Sequence, residues 1–441
     1  MGIKVLKFGG SSLASAEQFR KVAEIVKAEP ERRYVVASAP GKRSSGDTKV
    51  TDMLYDCFRL ASQKQSIDEA FSLIEERYDA IIRDLGLDMD LSEEYEKIRL
   101  AISYHAGADY VASRGEYLNS MILAKFLDFP FVDAEYGVFF KEDGSFNDVR
   151  TYAALGSMLK DKAYAVIPGF YGSMPNGTIR TFSRGGSDIT GAIVARAVGA
   201  EIYENWTDVS GMLMADPRIV KNPRVIEEIT YRELRELAYM GATVMHDEAV
   251  FPVREAKIPI NIRNTNAPQD PGTMIVPYTD KMPKGTIITG VAGKKGFSSV
   301  TLEKSKMNTE VGFGRKVLSV FERLGVSFEH TPSGIDTMSV IVPTAAIADR
   351  KEELKSRLFR ETMADRIIID DGLALIATAG RGMIRAKGCL GRLCTAIGNQ
   401  DINICMINLC SGEDNIIIAV NEENFDRAMN AIYKEFVPED A

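Results

Sequence analysis

The sequence is short of long hydrophobic runs and of concentrated positive charge. No apolar stretch in the 441 residues approaches the ~20 residues that a membrane-spanning helix needs, and the N-terminus reaches FGGSS too soon to hold a signal-peptide core. Acidic side chains outnumber basic ones by 62 to 54, which gives a net charge of −8 without any dense basic block. These absences predict a cytoplasmic protein that associates with neither membranes nor nucleic acid.

Cysteine is also scarce, with five in the whole chain. Four of them, at positions 389, 394, 405 and 410, have a C-x4-C, x10, C-x4-C spacing that is compatible with a metal site. Cys405 and Cys410 fall within the strand-like run INICMINLC, where an odd separation points two side chains to opposite faces of a continuous strand. We therefore expect these cysteines to be structural, with no metal ion held by protein side chains.

The common nucleotide-binding signatures are absent as well. The chain holds no G-x-x-x-x-G-K-[ST] element, and no G-x-G-x-x-G follows a predicted strand. PGKRSS and AGKKGF contain glycine and lysine, but at the wrong spacing. Neither a P-loop nor a Rossmann-type nucleotide site is therefore predicted.

The chain does contain a regular alternation of strands and helices up to about residue 285. The strand-like IKVLKFG is followed by the amphipathic SAEQFRKVAEIVKAE and then by the strand-like YVVASAP. The segment VPYTDKMPKGT (276–286) concentrates proline, glycine and charge, as expected of a linker. This pattern predicts an α/β fold with a mostly parallel sheet sandwiched by helices.

A weak internal repeat with an offset of 76 residues follows the linker. GFGRKVLSVFERLGVSF (312–328) aligns with GCLGRLCTAIGNQDINI (388–404), and strand-like runs flank both copies. Two copies of one βαββ-type unit are predicted. Because neither copy carries obvious catalytic residues, we expect a sensing role, with a plain dimerisation platform as the alternative.

Two glycine-rich turns could bind an anion. In KFGGSS, Lys7 ends a strand and Gly9 and Gly10 precede a helix; in RGGSDITG, Arg184 precedes a second helix. Taken alone, each motif is also explained by a tight turn or a helix cap. Glu116 in RGEYLNS and the polar loop WTDVSGMLMADPR are further candidates, because α/β sheets bind ligands beyond their strand ends.

In order and spacing, these motifs resemble those of the aspartate kinases within the amino-acid kinase family. The resemblance covers essentially the whole chain, since those enzymes also carry two C-terminal, ferredoxin-like ACT domains. It implies a catalytic domain at 1–285 and ACT domains at 290–368 and 369–441, or one ACT unit inserted in the other. The matching motifs are KFGGSS, VVASAPGK, RGEYLNS, FSRGGSDITGAIVA, WTDVSGMLMADPR, LAYMGATVMH and INIRNT.

The resemblance implies a reaction. The γ-phosphoryl group of ATP, with Mg²⁺ bound through ATP, would pass to the β-carboxylate of L-aspartate, giving 4-phospho-L-aspartate and ADP, the first step of lysine, threonine and methionine biosynthesis. A carboxylate with a reference pKa of ~3.9 is already ionised, so the attack needs no general base. The implied catalytic residues are Lys7 and Asp188; the substrate contacts are Thr51, Glu116, Arg184 and Ser187; the ATP contacts are Lys7, Phe8, Gly9, Gly10, Thr207, Asp208, Leu213, Arg218 and Thr243.

Side-chain chemistry fits this allocation. Glu116 suits an α-ammonium and Arg184 an α-carboxylate, so the pair would select a zwitterionic substrate. Two positions depart from the family pattern: Thr243 stands where many relatives have lysine, and Leu213 stands where some have tyrosine. We expect both departures to change the contacts with ATP.

The resemblance also implies feedback inhibition by an amino acid that binds the ACT units. Glu329 offers the carboxylate that the ε-ammonium of L-lysine would require, and L-threonine, alone or together with lysine, is the alternative. ACT modules usually pair between subunits, so a homodimer or a dimer of dimers is expected. The implied effector residues are Met307, Gly312, Phe313, Gly314, Ser327, Phe328 and Glu329.

Two other functions compete with this interpretation. The same fold could phosphorylate a different small anion, or the chain could be a non-catalytic amino-acid sensor. The RGGSD motif, the Glu116 motif and the paired C-terminal units together favour aspartate. The joint presence of Lys7, Glu116, Arg184 and Asp188 argues against a loss of catalysis.

Overall fold

The computed structural model describes residues 2–183, 185–242, 245, 247–383, 385–409 and 415–438. The chain divides into two compact units. The first comprises residues 1–212, 225–231 and 243–279, and the second comprises residues 213–224, 232–242 and 280–441. The second unit thus takes in two short segments that precede the predicted linker.

Strands and helices are mixed up to Val276, but the predicted regular alternation is wrong in detail, because five helices stand between the second and third strands and the next two strands follow without a helix. Helix α8 continues from the first unit into the second, because the division falls after Tyr231. The elements are β1 (Lys4–Phe8), α1 (Ala16–Lys27), β2 (Arg32–Ala37), α2 (Val50–Ser62), α3 (Asp68–Leu85), α4 (Ser92–Ser103), α5 (Ala108–Leu127), α6 (Asp148–Lys160), β3 (Ala165–Pro168), β4 (Tyr171–Ser173), β5 (Ile179–Thr181), α7 (Gly186–Ala197), β6 (Ile202–Thr207), β7 (Glu228–Thr230), α8 (Tyr231–Tyr239), α9 (Asp247–Glu255), β8 (Ile260–Asn264) and β9 (Thr273–Val276).

A seven-stranded sheet organises the described part of the first unit. Its strand order is β3-β2-β1-β6-β8-β9-β7. The five strands from β3 to β8 are parallel, and β9 then runs antiparallel to β8. The chain leaves β1 toward β2 on one side and later returns to β6 on the other, so the carboxyl ends of β1 and β6 form the switch point where open α/β sheets bind ligands.

Apolar strand residues explain why this sheet is buried. All five residues of β1 are at least half-buried, and Val5, Leu6 and Phe8 are completely inaccessible to solvent. The ring of Phe8 stacks on that of Trp206 in β6, with centroids 6.0 Å apart. Strands that are covered on both faces read as continuous hydrophobic runs, as IKVL does.

The second unit contains a five-stranded antiparallel sheet in the order β11-β10-β12-β14-β13. The helix predicted in each copy of the internal repeat is confirmed: it is α10 in the first copy and α13 in the second. The elements are β10 (Gly290–Glu303), α10 (Phe313–Leu324), β11 (Thr337–Pro343), α11 (Thr344–Ile347), α12 (Lys351–Thr362), β12 (Arg366–Ala379), α13 (Cys389–Gly398), β13 (Met406–Asn408), β14 (Asn415–Asn421) and α14 (Phe425–Phe436).

Strands β10 and β12 are each 14 residues long and run through both halves of this sheet. The second half of β10 pairs with β11 and with the start of β12, whereas the second half of β12 pairs with β14. Each long strand has a glycine with positive φ where it passes between the halves, Gly296 at 95° and Gly372 at 80°. A side chain rarely adopts such a conformation, so glycine is favoured at both points.

The linear limits of the three domains stay a prediction, as does the placement of Cys405 and Cys410, because Cys410 lies outside the described residues. In the described part of the chain, no helix is long and apolar enough to cross a membrane.

Candidate active site

Lys7 and Asp188 meet at the switch point of the sheet. Lys7 is the fourth residue of β1 and is 7% exposed, and its Nζ lies 2.6 Å from Oδ1 of Asp188 in the first turn of α7. Asn205 of β6 donates a hydrogen bond of 2.8 Å to the same oxygen. The structure thus joins the two glycine-rich motifs, which are some 180 positions apart, into one charged site.

Gly10 lies in the turn that follows β1, in direct contact with a second loop. The N–H of Gly41 donates to the carbonyl of Gly10 at 2.8 Å. A Cβ atom on Gly10 would lie 2.9 Å from the carbonyl oxygen of Ala39, and one on Gly41 would lie 2.6 Å from the Gly10 carbonyl carbon. Both positions therefore need glycine because two backbones touch there.

Glu116 is a buried carboxyl group close to this contact. It lies on α5, is 6% exposed, and its Oε2 has no hydrogen-bond partner in the part of the chain described. Burial raises the pKa of Glu116 to about 8, against the lowering effects of a hydrogen bond from the Ala39 backbone and of the charges on Arg114 and Lys7. An under-satisfied buried carboxylate is well suited to a cationic ligand group.

The remaining predicted residues of the first unit lie at strand ends and helix starts. Thr51 is half-buried in the first turn of α2, and Ser187 is buried in the first turn of α7. Thr207 ends β6, and its hydroxyl donates to the carboxylate of the exposed Asp208. The Phe8 side chain is packed in the core, so only its backbone can contact a ligand.

Four other predicted ATP or substrate residues are placed differently. Arg184 and Thr243 lie outside the described residues. Leu213 and Arg218 belong to the second compact unit, where Arg218 is exposed and its guanidinium pairs with Asp216 at 2.6 Å. Hydrogen bonds from Arg218 lower the pKa of Asp216.

Two functional candidates are missing from the sequence-based set. Asn205 is 4% exposed and contacts Asp188, and Asn119 of α5 donates a hydrogen bond of 2.7 Å to the carbonyl of Ser38. Little in the sequence singled out either residue, because β6 (IYENWT) and α5 each contain several other polar residues, although buried polar side chains need a specific partner.

The predicted effector residues flank α10 in the second unit: four lie at or before its N-terminal end, and Ser327, Phe328 and Glu329 follow its C-terminal end. Met307 and Phe313 pack in the hydrophobic core, whereas Ser327 and Phe328 are exposed. Gly312 precedes α10 with a φ of 84°, and Gly314 is half-buried in the first turn of that helix. Glu329 accepts a hydrogen bond from the hydroxyl of Tyr239.

Comparison with known proteins agrees with this geometry. A sequence model of the amino acid kinase family matches residues 2–264, and one of the ACT domain matches residues 376–436. The chain belongs to the amino acid kinase family and, within it, to the aspartokinases, ATP-dependent kinases that act on aspartate and are regulated through ACT domains.

Three relatives illustrate this similarity. Aspartokinase 3 of Bacillus subtilis (strain 168) is 37% identical over 449 residues, which cover 98% of this chain and 98% of that protein. The crystal structure of Clostridium acetobutylicum aspartate kinase is 46% identical, with a TM-score of 0.90 over 99% of this chain and 100% of that one. A structure of E. coli aspartokinase III in complex with aspartate and ADP shares the fold, with 23% identity and a TM-score of 0.74 over 98% of this chain and 99% of that one.

Proposed function

We propose that the site around Lys7, Glu116 and Asp188 transfers the γ-phosphoryl group of ATP to the β-carboxylate of L-aspartate. The main support is the pair formed by the buried Lys7 and the half-buried Asp188 at the switch point of the sheet, with a 2.6 Å separation. A nucleotide phosphate and a carboxylate repel each other, so the site must supply positive charge where they meet. Among the described residues, Lys7 supplies a cation at that point.

The proposed chemistry is an in-line displacement. An oxygen of the aspartate β-carboxylate forms a bond to the γ-phosphorus, and the bond from that phosphorus to the bridging oxygen breaks, so ADP leaves with the electron pair. Lys7 would contact the transferring oxygens, and Asp188 and Asn205 would hold the ammonium in place. Glu116 would accept the substrate's α-ammonium, while Arg184 and Ser187 would bind its α-carboxylate.

Mg²⁺ fits this site as a companion of ATP. Among the described residues, no three His, Cys, Asp or Glu side chains form a group that could hold a metal ion. Magnesium in kinases is commonly bound by one or two carboxylates together with substrate phosphates. Asp188 is the nearby carboxylate that could join the phosphates, and the ion would supply charge neutralisation on the phosphate oxygens.

Contacts with the rest of the nucleotide are assigned to Thr207, Asp208, Leu213, Arg218 and Thr243, together with the backbone of Phe8, Gly9 and Gly10. The carboxyl ends of β1 and β6 support the contacts assigned to Thr207, to Asp208 and to the backbone after β1. Leu213 and Thr243 lack the groups found in many relatives, and we expect the backbone to make a larger share of the contacts.

Trapping the product with hydroxylamine tests the proposed reaction. The full chain is incubated with aspartate, Mg-ATP and hydroxylamine, and aspartyl hydroxamate is measured by its ferric complex. Glutamate replaces aspartate in a matched reaction. We expect hydroxamate from aspartate and at least about tenfold less from glutamate, because one extra methylene displaces the reacting carboxylate. Hydroxamate from glutamate alone would assign another substrate, and none from either would leave only a sensor.

For regulation, the favoured effector is L-lysine, bound near α10 in the first copy of the repeat. The N-terminus of α10, opened by Gly312, can receive the α-carboxylate of an amino acid. Glu329 can pair with the ε-ammonium. At the offset of 76 residues its counterpart in the second copy is Cys405, which carries no such charge. A single lysine-selective site per chain follows.

Replacing Glu329 with glutamine is expected to raise the lysine concentration for half-inhibition by about 10- to 100-fold, the loss typical of a charge-assisted hydrogen bond. Inhibition is measured for each variant relative to its own rate without lysine. Glu322→Gln, an exposed position on the same helix, and Cys405→Ser serve as controls and should leave that concentration unchanged. Undiminished lysine inhibition in Glu329→Gln, or inhibition by threonine alone, would contradict the assignment.

The same region supports a proposal about domain organisation and assembly. The shared strands β10 and β12 favour one ACT unit inserted in the other over two consecutive units. We propose a homodimer or a dimer of dimers formed through these units, in a chain that works in the cytoplasm.

A further inference from the structure

Residues 38–41, which join β2 to the loop before α2, connect the two halves of the site. The carbonyl of Ser38 accepts a hydrogen bond from Asn119, and the N–H of Ala39 donates to the carboxylate of Glu116. Two residues further on, the N–H of Gly41 donates to Gly10. This 38–41 segment therefore touches both the group that would bind the substrate ammonium and the turn that would hold the phosphoryl group.

The outer side of the segment is fixed by Arg77, a buried arginine on α3. Arg77 is 5% exposed, and its guanidinium donates to the carbonyl of Gly41 at 2.6 Å and to Oδ2 of Asp47 at 2.7 Å. Asp47 in turn accepts hydrogen bonds from Arg43, which with those from Arg77 hold the pKa of Asp47 well below its usual value. One side chain thus ties the loop to a helix at two points.

Helix α3 also fixes α5, the other partner of the segment. The hydroxyl of Tyr78, next to Arg77, donates to the carbonyl of Gly115 at 2.8 Å. A Cβ atom on Gly115 would come within 2.8 Å of the Ala39 side chain. Neighbouring residues of α3 thus hold the loop and the helix that carries Glu116 in close contact.

We propose that Arg77 is a positioning residue for phosphoryl transfer, which keeps the 38–41 segment seated between Gly10 and Glu116. This inference rests on the proposed function of the site. Arg77 lies outside the motifs that define the site and is not expected to touch either substrate. Arg77 acts through the backbone of Gly41. Its loss would therefore separate the turn at Gly10 from the carboxylate of Glu116.

The test compares Arg77→Ala and Arg77→Lys with Arg99→Ala in the full chain. Arg99 is a control of the same kind, because it also forms ion pairs with two carboxylates, Asp68 and Glu75, which both lie on α3 and not in a loop of the site. The kcat and the KM for aspartate are measured by hydroxamate formation, alongside the thermal unfolding midpoint. We expect Arg77→Ala to lose about 100-fold in kcat/KM with a fall in kcat, as for small displacements of reacting groups, and Arg99→Ala to stay within about threefold of wild type.

Arg77→Lys keeps a cation opposite Asp47 but loses the planar fork that reaches two acceptors. A loss of about tenfold in kcat/KM without a change in the unfolding midpoint is expected, and this variant decides the question if Arg77→Ala does not fold. Kinetics within about threefold of wild type in Arg77→Lys, or an equal loss in Arg99→Ala, would overturn the positioning role alone. A wild-type chain without hydroxamate formation would overturn the proposed function and this role together.

Discussion

Replacing Lys7 with methionine is expected to reduce kcat by about a thousandfold or more while leaving the protein folded. Lys7 places a cation at the switch point, and cations that stabilise charge on a transferring phosphoryl group contribute factors of about 10³ to 10⁵. Methionine keeps most of the side-chain volume in a position that is 7% exposed. The rate is measured by hydroxamate formation at saturating aspartate and Mg-ATP.

Lys21→Met is the matched control for this substitution. Lys21 is a half-buried α1 residue that pairs with Glu17 at 2.9 Å, and its loss should change kcat by less than about twofold. Asp188 keeps its hydrogen bond from Asn205 in Lys7→Met, which limits the cost of removing its ionic partner. Turnover within about tenfold of wild type in a folded Lys7→Met protein would remove Lys7 from the transfer step.

Replacing Glu116 with glutamine is expected to raise the KM for aspartate by about 100-fold, because the substitution removes the charge from a buried hydrogen bond to the substrate ammonium. The pH dependence should also change. With a pKa of about 8, Glu116 is mostly protonated at pH 7 and must lose its proton before an ammonium can bind. The wild-type KM for aspartate should therefore fall about tenfold between pH 7 and pH 9, whereas that of Glu116→Gln should not follow this titration.

The stability of the substrate-free protein gives an independent readout of the same group. The folded-state pKa of Glu116 is raised, from 4.5 to about 8, so its contribution to stability is present below pH 4.5 and is lost as the pH rises through 8. The free energy of unfolding should fall over this range by up to ~1.4 kcal/mol per pH unit from this residue. Glu116→Gln lacks this pH-dependent destabilisation and should be the more stable protein at pH 8. A wild type and a variant with parallel pH profiles would contradict the assignment.

Local sequence signals located the turns in which part of the candidate site lies, but did not give those turns a function. Lys7, the two glycines after it and Asp188 stand at strand ends and helix starts, where a short motif determines backbone geometry. The resemblance to a family then supplied roles for them that no single motif could. Lys7 and Asp188 are adjacent in space because helix α7 packs against strand β1.

Residues whose importance depends on distant partners were not predictable in this way. Arg77 lies in the helical run EERYDAIIRDL, where an arginine near two glutamates is typical of a solvated helix face. It is buried instead, because the loop after β2 folds over it. Asn205 likewise acquires its role only when β6 pairs with β1. Such pairings are long-range contacts, which a periodic pattern cannot encode.

The two long strands of the second unit limit which deletions of the gene can leave a folded protein. Residues 366–370 of β12 complete the sheet of the first copy of the repeat, and residues 373–379 complete that of the second. A truncation before β12 would thus remove a strand from both copies. The copies can drift apart in sequence, as Glu329 and Cys405 have done, but neither can be deleted from an end of the gene without dismantling the other. The two copies must therefore be kept or lost together.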